Sequence, residues 1–383
     1  MLNRRSMTAL LAATLAVGAA SAQTKQVVKI GAIYPLSGSA SFLGIPEERA
    51  LKMKVDEINK AGGINGKTLE VIVYDTEGNT NKAAQQLRRL AEADNVDIVF
   101  GPSSSGESLA TIGLSNELKI PQIAHGGTEQ IIKPTTKWVF NSLAVDRVAL
   151  SYVLSYFKKK GIKSIALMTS ADGYGQSGKN VLQSLLPGTD IKIATAEEFN
   201  RTDADMTAQV LRAKQSGADA MLVWSALPAP TIIARNAQAV GYDKPIFNGY
   251  GAASNDLVEK AGSAGEGLYI SSFRLLAPGS LSESDPVRPI TMRLYADYLK
   301  RYGEPPANFA QHSYDAVLIL EAALKKIKGQ VTRDNLRDAI ETVDVIGSNG
   351  HFRFSPTDHG GLDSSSQPLV MLRWVKGKWQ IAD

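Results

Sequence analysis

Val96-Asp97-Ile98-Val99-Phe100-Gly101-Pro102-Ser103-Ser104-Ser105-Gly106 and, one helix length further on, Ile120-Pro121-Gln122-Ile123-Ala124-His125-Gly126-Gly127-Thr128 carry the fold of this chain. Each begins as a short run rich in β-branched residues and breaks into glycines and hydroxyls. The residues between them are long enough for one helix. This is the pattern of a βαβ unit, in which neighbouring parallel strands end side by side. Loops at the carboxyl ends of such strands are where open α/β sheets bind ligands.

The same alternation runs outward in both directions. Val27 to Ile33 reads as a first strand, and Leu51, Val55 and Ile58 recur at helical spacing before Ala61-Gly62-Gly63. Leu69 to Tyr74 is a second strand, followed by a helix marked by Ala83, Leu87 and Leu90. After Asp146 the pattern restarts with a helix to Lys160 and strands at Ser164 to Thr169, Ile191 to Ala194, Ala220 to Trp224, Pro245 to Phe247 and Leu268 to Ser271. Helices run from Tyr174, from Met206 to Ser216, and up to Val240. Leu275 to Pro289, rich in Ser, Pro and Gly, reads as a surface connection, with helices around Met292 to Tyr302 and Ser313 to Lys328. His351 to Phe354 and Val370 to Trp379, with a Lys376-Gly377 turn, read as closing antiparallel strands. Two similar α/β lobes account for this better than one long sheet, and 383 residues exceed what one core usually serves.

At the N-terminus, Arg4 and Arg5 precede an apolar or small run from Met7 to Ala20, ending Ala20-Ser21-Ala22. That layout predicts a secretory leader, residues 1–22, cleaved after Ala22. The run is short of the ~20 apolar residues a spanning helix needs. The chain has no cysteine, so an extracytoplasmic life would rest on its core rather than on disulfides. Of the formal charge of +4, Arg4 and Arg5 supply two, leaving +2. So small an excess, with Lys158-Lys159-Lys160 as its one basic run, argues against a nucleic-acid partner.

Catalytic and metal motifs find little support. Ala61 to Thr68 comes within one residue of a phosphate-binding loop, but it follows a helix and leads into a strand, the reverse of the order such a loop requires. It reads as a helix-ending turn. The four histidines, His125, His312, His351 and His359, show no helical metal-ligand spacing, so no metal is expected. No G-x-S-x-G elbow occurs. Ser104 and Ser105 open a helix at a strand's carboxyl end, where hydroxyls and free N–H groups favour an anion; serines there also cap helices. The adjacent strand end adds Gly126 and Thr128. In the second half, Tyr174, Trp224 and Tyr250 follow strand ends, where aromatic residues serve either a ligand or the core.

Ile33-Tyr34-Pro35-Leu36-Ser37-Gly38, Glu57-Ile58-Asn59 with Gly62-Gly63-Ile64-Asn65-Gly66-Lys67, Tyr74-Asp75, Gly101-Pro102 with Ser105, Pro121-Gln122-Ile123 before Thr128, Tyr174-Gly175 and Gly265-Glu266-Gly267 occur in order across nearly the whole mature chain. Together they resemble the Leu/Ile/Val-binding type of periplasmic solute receptor for ABC importers. The resemblance implies a type I periplasmic binding protein: two Rossmann-like lobes with mainly parallel sheets, joined by a hinge of three crossings near Ser142, Ser272 and Asn349. Lobe 1 would be 23–141 plus 273–348 and lobe 2 142–272 plus 349–383. It further implies a monomer with a membrane permease as partner, no cofactor, and a small ligand in the cleft.

By the same resemblance, a ligand carboxylate falls to Ser105, the amide of Gly126, and Thr128, with Ser104 beside them. Tyr174 supplies a second-lobe aromatic, and Leu43, next to Phe42, stands where the family has a first-lobe aromatic. Ala226 and Tyr250 occupy the places from which a tyrosine and an acidic residue receive an amino-acid ammonium. Burying an ammonium without a partner costs several kcal/mol. The expected ligand is therefore an aromatic or bulky apolar acid lying against Phe42, Leu43, Tyr174, Trp224 and Tyr250, with a branched-chain amino acid as the alternative if Asp172 supplies the acceptor. A ligand-sensing receptor domain and a cleft hydrolase are the rivals from other classes.

Overall fold

Strand β1 (Val27–Tyr34) opens the first half in the computed structural model, which describes residues 26–362, 365 and 368–382. The leader expected at residues 1–22 lies outside the described residues. β1 pairs in parallel along its whole length with β2 (Thr68–Asp75), Val27 opposite Thr68 and Tyr34 opposite Asp75. On its other side lies β3 (Ile98–Phe100), then β4 (Gln122–Ala124) and β5 (Val139–Asn141), giving the all-parallel order β2-β1-β3-β4-β5. Helices α1 (Ser41–Lys60), α2 (Thr80–Glu92) and α3 (Ser105–Glu117) make the crossovers. Ala61 to Thr68 closes α1 and turns into β2, with Ile64 and Lys67 bridged across the turn, so the near-match to a phosphate loop is a helix-ending turn.

The second sheet restarts after α4 (Asp146–Lys160) with β6 (Ser164–Ser170), α5 (Gly173–Leu185), β7 (Lys192–Phe199), α6 (Thr207–Gln215), β8 (Ala220–Trp224), α7 (Ala229–Ala239), β9 (Ile246–Asn248), α8 (Asp256–Ala261) and β10 (Tyr269–Ser272). The chain then returns to the first half through α9 (Arg288–Tyr302), α10 (Ala310–Lys326) and α11 (Arg333–Ile340). A two-stranded pair, β11 (Asp344–Ile346) with β12 (His351–Arg353), precedes β13 (Val370–Val375) and β14 (Lys378–Ile381), which add antiparallel to β10. The order is β14-β13-β10-β9-β8-β6-β7. The expected two-lobed α/β architecture with mainly parallel sheets is what the chain adopts, and it passes between the halves three times.

Leu51, Val55 and Ile58 of α1 share one core cluster with Val317, Leu320 and Leu324 of α10. Each such buried side chain contributes about 1.5–3 kcal/mol, so the helical stripe legible in the sequence fixes which face of α1 turns inward. Three features depart from expectation. β5 is too short to show an alternation. β7 extends five residues beyond Ala194 because it is an edge strand whose Glu197 and Glu198 lie on a half-solvated ladder. The Leu275 to Pro289 connection is pinned inward at Leu275 and Leu281 and by an Arg274–Asp285 ion pair of 2.9 Å. Among the described residues no helix is long and apolar enough to cross a membrane.

Candidate functional site

β3 is followed by Gly101, whose φ of +86° and whose Cα, placed so that a Cβ would come 2.5 Å from the Ile33 carbonyl oxygen, admit only glycine. The chain can then turn sharply into α3. Ser104 is the N-cap, accepting the Glu107 N–H at 3.3 Å, so the capping role of this cluster belongs to Ser104. Ser105 Oγ accepts the Gly127 N–H at 3.1 Å and ties the end of β4 to the start of α3. The Glu107 side chain turns back on the same loop, accepting hydroxyl hydrogens from Ser104 at 2.6 Å and from Thr76. Burial pushes its carboxyl above the usual range, against the pull of those hydrogen bonds.

Across a cavity of about 290 Å³ stands an aromatic wall. Tyr174 sits in the first turn of α5, whose N-cap Asp172 accepts the Gly175 N–H at 3.0 Å. Its ring stacks on Trp224 at 5.4 Å between centroids and meets Tyr250 edge-on at 5.6 Å. Tyr250 donates its hydroxyl hydrogen to the Gly127 carbonyl at 3.2 Å, bridging the two walls. The walls also meet through Thr128, which donates to Ser177 Oγ at 2.6 Å, while Ser177 donates to Asp146. Burial raises the Asp146 carboxyl to about 6 against these hydrogen bonds.

Of the residues read from the sequence, Leu43, Ser104, Ser105, Tyr174 and Tyr250 line this cavity, as does Ala226. Gly126 and Thr128 do not: in the extended segment after β4 alternate residues face alternate sides, and it is His125 and Gly127 that face the cavity. Gly126 instead packs towards Ser108 and Ile131, its carbonyl accepting from Asn141 Nδ2 at 3.0 Å. Trp224 is fully buried as a second layer behind Tyr174. Phe42 packs edge-on to Phe309 at 5.5 Å and faces a separate, larger cleft of about 770 Å³ between α1 and α7.

The cavity also holds charged and titratable groups that sequence spacing did not bring together. Glu107, Asp172 and Arg201 line it, with Arg201 Nε 3.5 Å from Asp172 Oδ2. On the inner wall are His125 and His312, their ring centroids 5.9 Å apart, brought together by packing although the sequence shows no metal-ligand spacing between them. Glu47, fully buried on α1, accepts from His312 Nδ1 at 2.9 Å and from the Ser103 hydroxyl, and lies 3.4 Å from His125 Nδ1. Burial would raise the Glu47 carboxyl, but His125, 3.4 Å away, and the hydrogen bond from His312 outweigh it and hold it below the usual range. Burial pushes His312 down. His351 and His359 do not meet: His351 pairs with Asp344, and His359 bonds the Val139 carbonyl at 2.9 Å and Glu341 at 3.2 Å.

Two doubly wound halves with a ligand-sized, mixed polar and aromatic cavity between them define a two-lobed binding protein. The periplasmic binding protein family model matches residues 27–378. The Leu/Ile/Val-binding protein homolog 7 of Brucella abortus (strain 2308) is 26% identical over 395 residues, covering 98% of this chain and 95% of the relative. An extracellular ligand-binding receptor from Rhodopseudomonas palustris HaA2 superposes with a TM-score of 0.84 at 29% identity, over 94% of this chain and all of that one. The branched-chain amino acid transporter substrate binding protein LivJ of Streptococcus pneumoniae, in complex with isoleucine, gives 0.81 at 26% identity, over 93% and 99%. The chain belongs to the periplasmic binding protein family.

Proposed function

We propose that this protein is the exported solute-binding component of an ABC importer, acting as a monomer with a membrane permease and taking a small carboxylate with an aromatic or bulky apolar body. The observation that carries the reading is the opposition of two chemistries across one cavity. On one side lie the Ser105 hydroxyl and the N-terminus of α3, a place that favours an anion. On the other lie the Tyr174 and Tyr250 rings, suited to a flat or greasy body. The Ala226 side chain in the cavity lining offers no acceptor for an ammonium, and the Tyr250 hydroxyl is engaged by Gly127.

The lobes divide at 23–141 plus 273–348 and 142–272 plus 349–383, and close about crossings near Ser142, Ser272 and Asn349. Two contacts between the halves, Tyr250 to Gly127 and Thr128 to Ser177, support a clamp that engages when shut. Cleavage after Ala22 releases the mature chain.

A second reading, an amino-acid ligand, has its own support. Asp172, the acceptor the sequence offered for an ammonium, lines the cavity, Glu107 brings a second carboxylate that the sequence did not place there, and the Brucella relative is named for leucine, isoleucine and valine. Thermal-shift and competition binding of a benzoate-type acid against leucine separates the two, because a ligand bound only by the folded state raises stability by mass action. The aromatic acid should shift the melting temperature and displace leucine. Tight leucine binding with no response to the acid overturns the ligand class while leaving the binding role intact.

A further inference from the structure

We propose that Glu47, His125 and His312 form a site for a divalent transition-metal ion of the zinc class on the inner wall of the cavity. One carboxylate and two imidazoles are a donor set suited to such ions, with room for a further ligand at the open position. The three come from α1, the loop after β4, and α10, and their ligand atoms all lie within 4.8 Å of one another. The Glu47 Oε1 to His125 Nδ1 separation of 3.4 Å is close to the roughly 3.3 Å edge of a tetrahedron built on metal–ligand bonds of about 2.0–2.2 Å.

Burial supplies an independent argument. All three side chains are buried, yet neither ring nitrogen of His125 and only Nδ1 of His312 makes a hydrogen bond. Groups this well enclosed are nearly always partnered, and each one left alone is costly. An ion would engage a nitrogen of each ring and neutralise a carboxylate that has no Lys or Arg partner among the described residues. Supports around the site are in place: Ser103 donates to the other Glu47 oxygen, and Tyr34 stacks on the His125 ring at 5.6 Å. Because His125 and His312 line the cavity, the remaining coordination position faces whatever enters it. The inference stands whichever ligand class is right.

The test uses the mature chain without a histidine tag, stripped with chelator and titrated with zinc ion alone by calorimetry, with elemental analysis after dialysis. One ion per chain and a raised melting temperature are expected. His125→Ala and His312→Ala should each weaken zinc binding by about 100-fold, while His351→Asn, at a distant surface pair, should leave it unchanged. If a variant fails to fold, cobalt titration of the wild-type chain, read by its d–d absorption, reports imidazole and carboxylate ligation directly. No retained ion and no cobalt spectrum, or zinc binding indifferent to both substitutions, overturns the proposal and leaves the cluster a network of hydrogen bonds.

Discussion

The two walls of the cavity are built by different means. The wall from the first sheet is made of loop geometry: Ser105, Gly127 and the start of α3 are positioned by the turns that end β3 and β4, each within a few residues of its strand. The wall from the second sheet is a stack, in which Tyr174 from α5, Trp224 from β8 and Tyr250 beyond β9 support one another ring against ring. In the proposed function the first wall would select by direction, since a hydroxyl or an amide must aim at an atom. The second would select by shape. Between them runs a seam of hydrogen bonds, Tyr250 to Gly127 and Thr128 to Ser177.

The largest effect is expected at that seam. Asp146, ordinarily titrating near 3.8, is raised by burial to about 6. Its neutral form is therefore favoured in the folded chain, a contribution fully present below about pH 4 and lost as pH rises through about 6. Two units correspond to about 3 kcal/mol. Asp146→Asn keeps an acceptor for the Glu129 and Arg147 amides and removes the titration. Urea unfolding of both proteins at pH 4 and 7 should show the wild type losing up to that amount relative to the variant as pH rises; parallel curves would mean the seam carries no buried charge. Next comes Gly127→Val. A Cβ there would collide with the Tyr250 hydroxyl and lie 3.1 Å from Tyr174. Overpacking of this kind costs ~1–3 kcal/mol, up to about 100-fold in affinity. Calorimetry should show a loss of affinity and thermal melting a loss of stability, since the collision lies in a packed contact of the fold, and unimpaired binding with unchanged melting would separate the walls.

How far the sequence reached follows the same division. The βαβ repeat, the α1 stripe at Leu51, Val55 and Ile58, and the Ser104 and Ser105 opening of α3 are local, so periodicity and turn chemistry reveal them. The three-residue β5 lacks a period, and α11, eight residues long with Leu336 and Ile340 as its buried apolar pair, is too short to show a stripe. Within the site, the facing of Gly126 against Gly127 depends on the register of one short extended segment, and a one-residue shift exchanges the sides. Glu47, His125 and His312 are brought together by tertiary packing of α1 against α10, which leaves no spacing to read. Trp224 looked like a contact because it ends a strand, but a strand end fixes position along the sheet and not depth.

A smaller effect is expected from Ser105→Ala. It removes a hydroxyl that both faces the cavity and accepts from Gly127, and a hydrogen bond to a charged group is worth ~1.5–3 kcal/mol, so affinity for a carboxylate should fall about 30-fold. Loss of the same size for a neutral analogue lacking the carboxylate would assign Ser105 to loop support alone.

The smallest effect, and the one that best separates the walls, is Thr128→Val. By its place at a strand end Thr128 looks equivalent to Ser105, yet its hydroxyl points across the seam to Ser177 rather than into the cavity. An ordinary neutral hydrogen bond contributes about 1 kcal/mol, so affinity should drop only about 5-fold. Ser177→Ala should cost more, because it also removes the hydrogen bond that Ser177 donates to Asp146. Because Thr128 and Ser177 share one bond, the double variant should lose little more than Ser177→Ala alone, whereas Ser105→Ala and Ser177→Ala, with no shared partner, should add. Additivity between Thr128 and Ser177, with Thr128→Val as damaging as Ser105→Ala, would return Thr128 to the ligand and erase the distinction between a wall that recognises and a seam that closes.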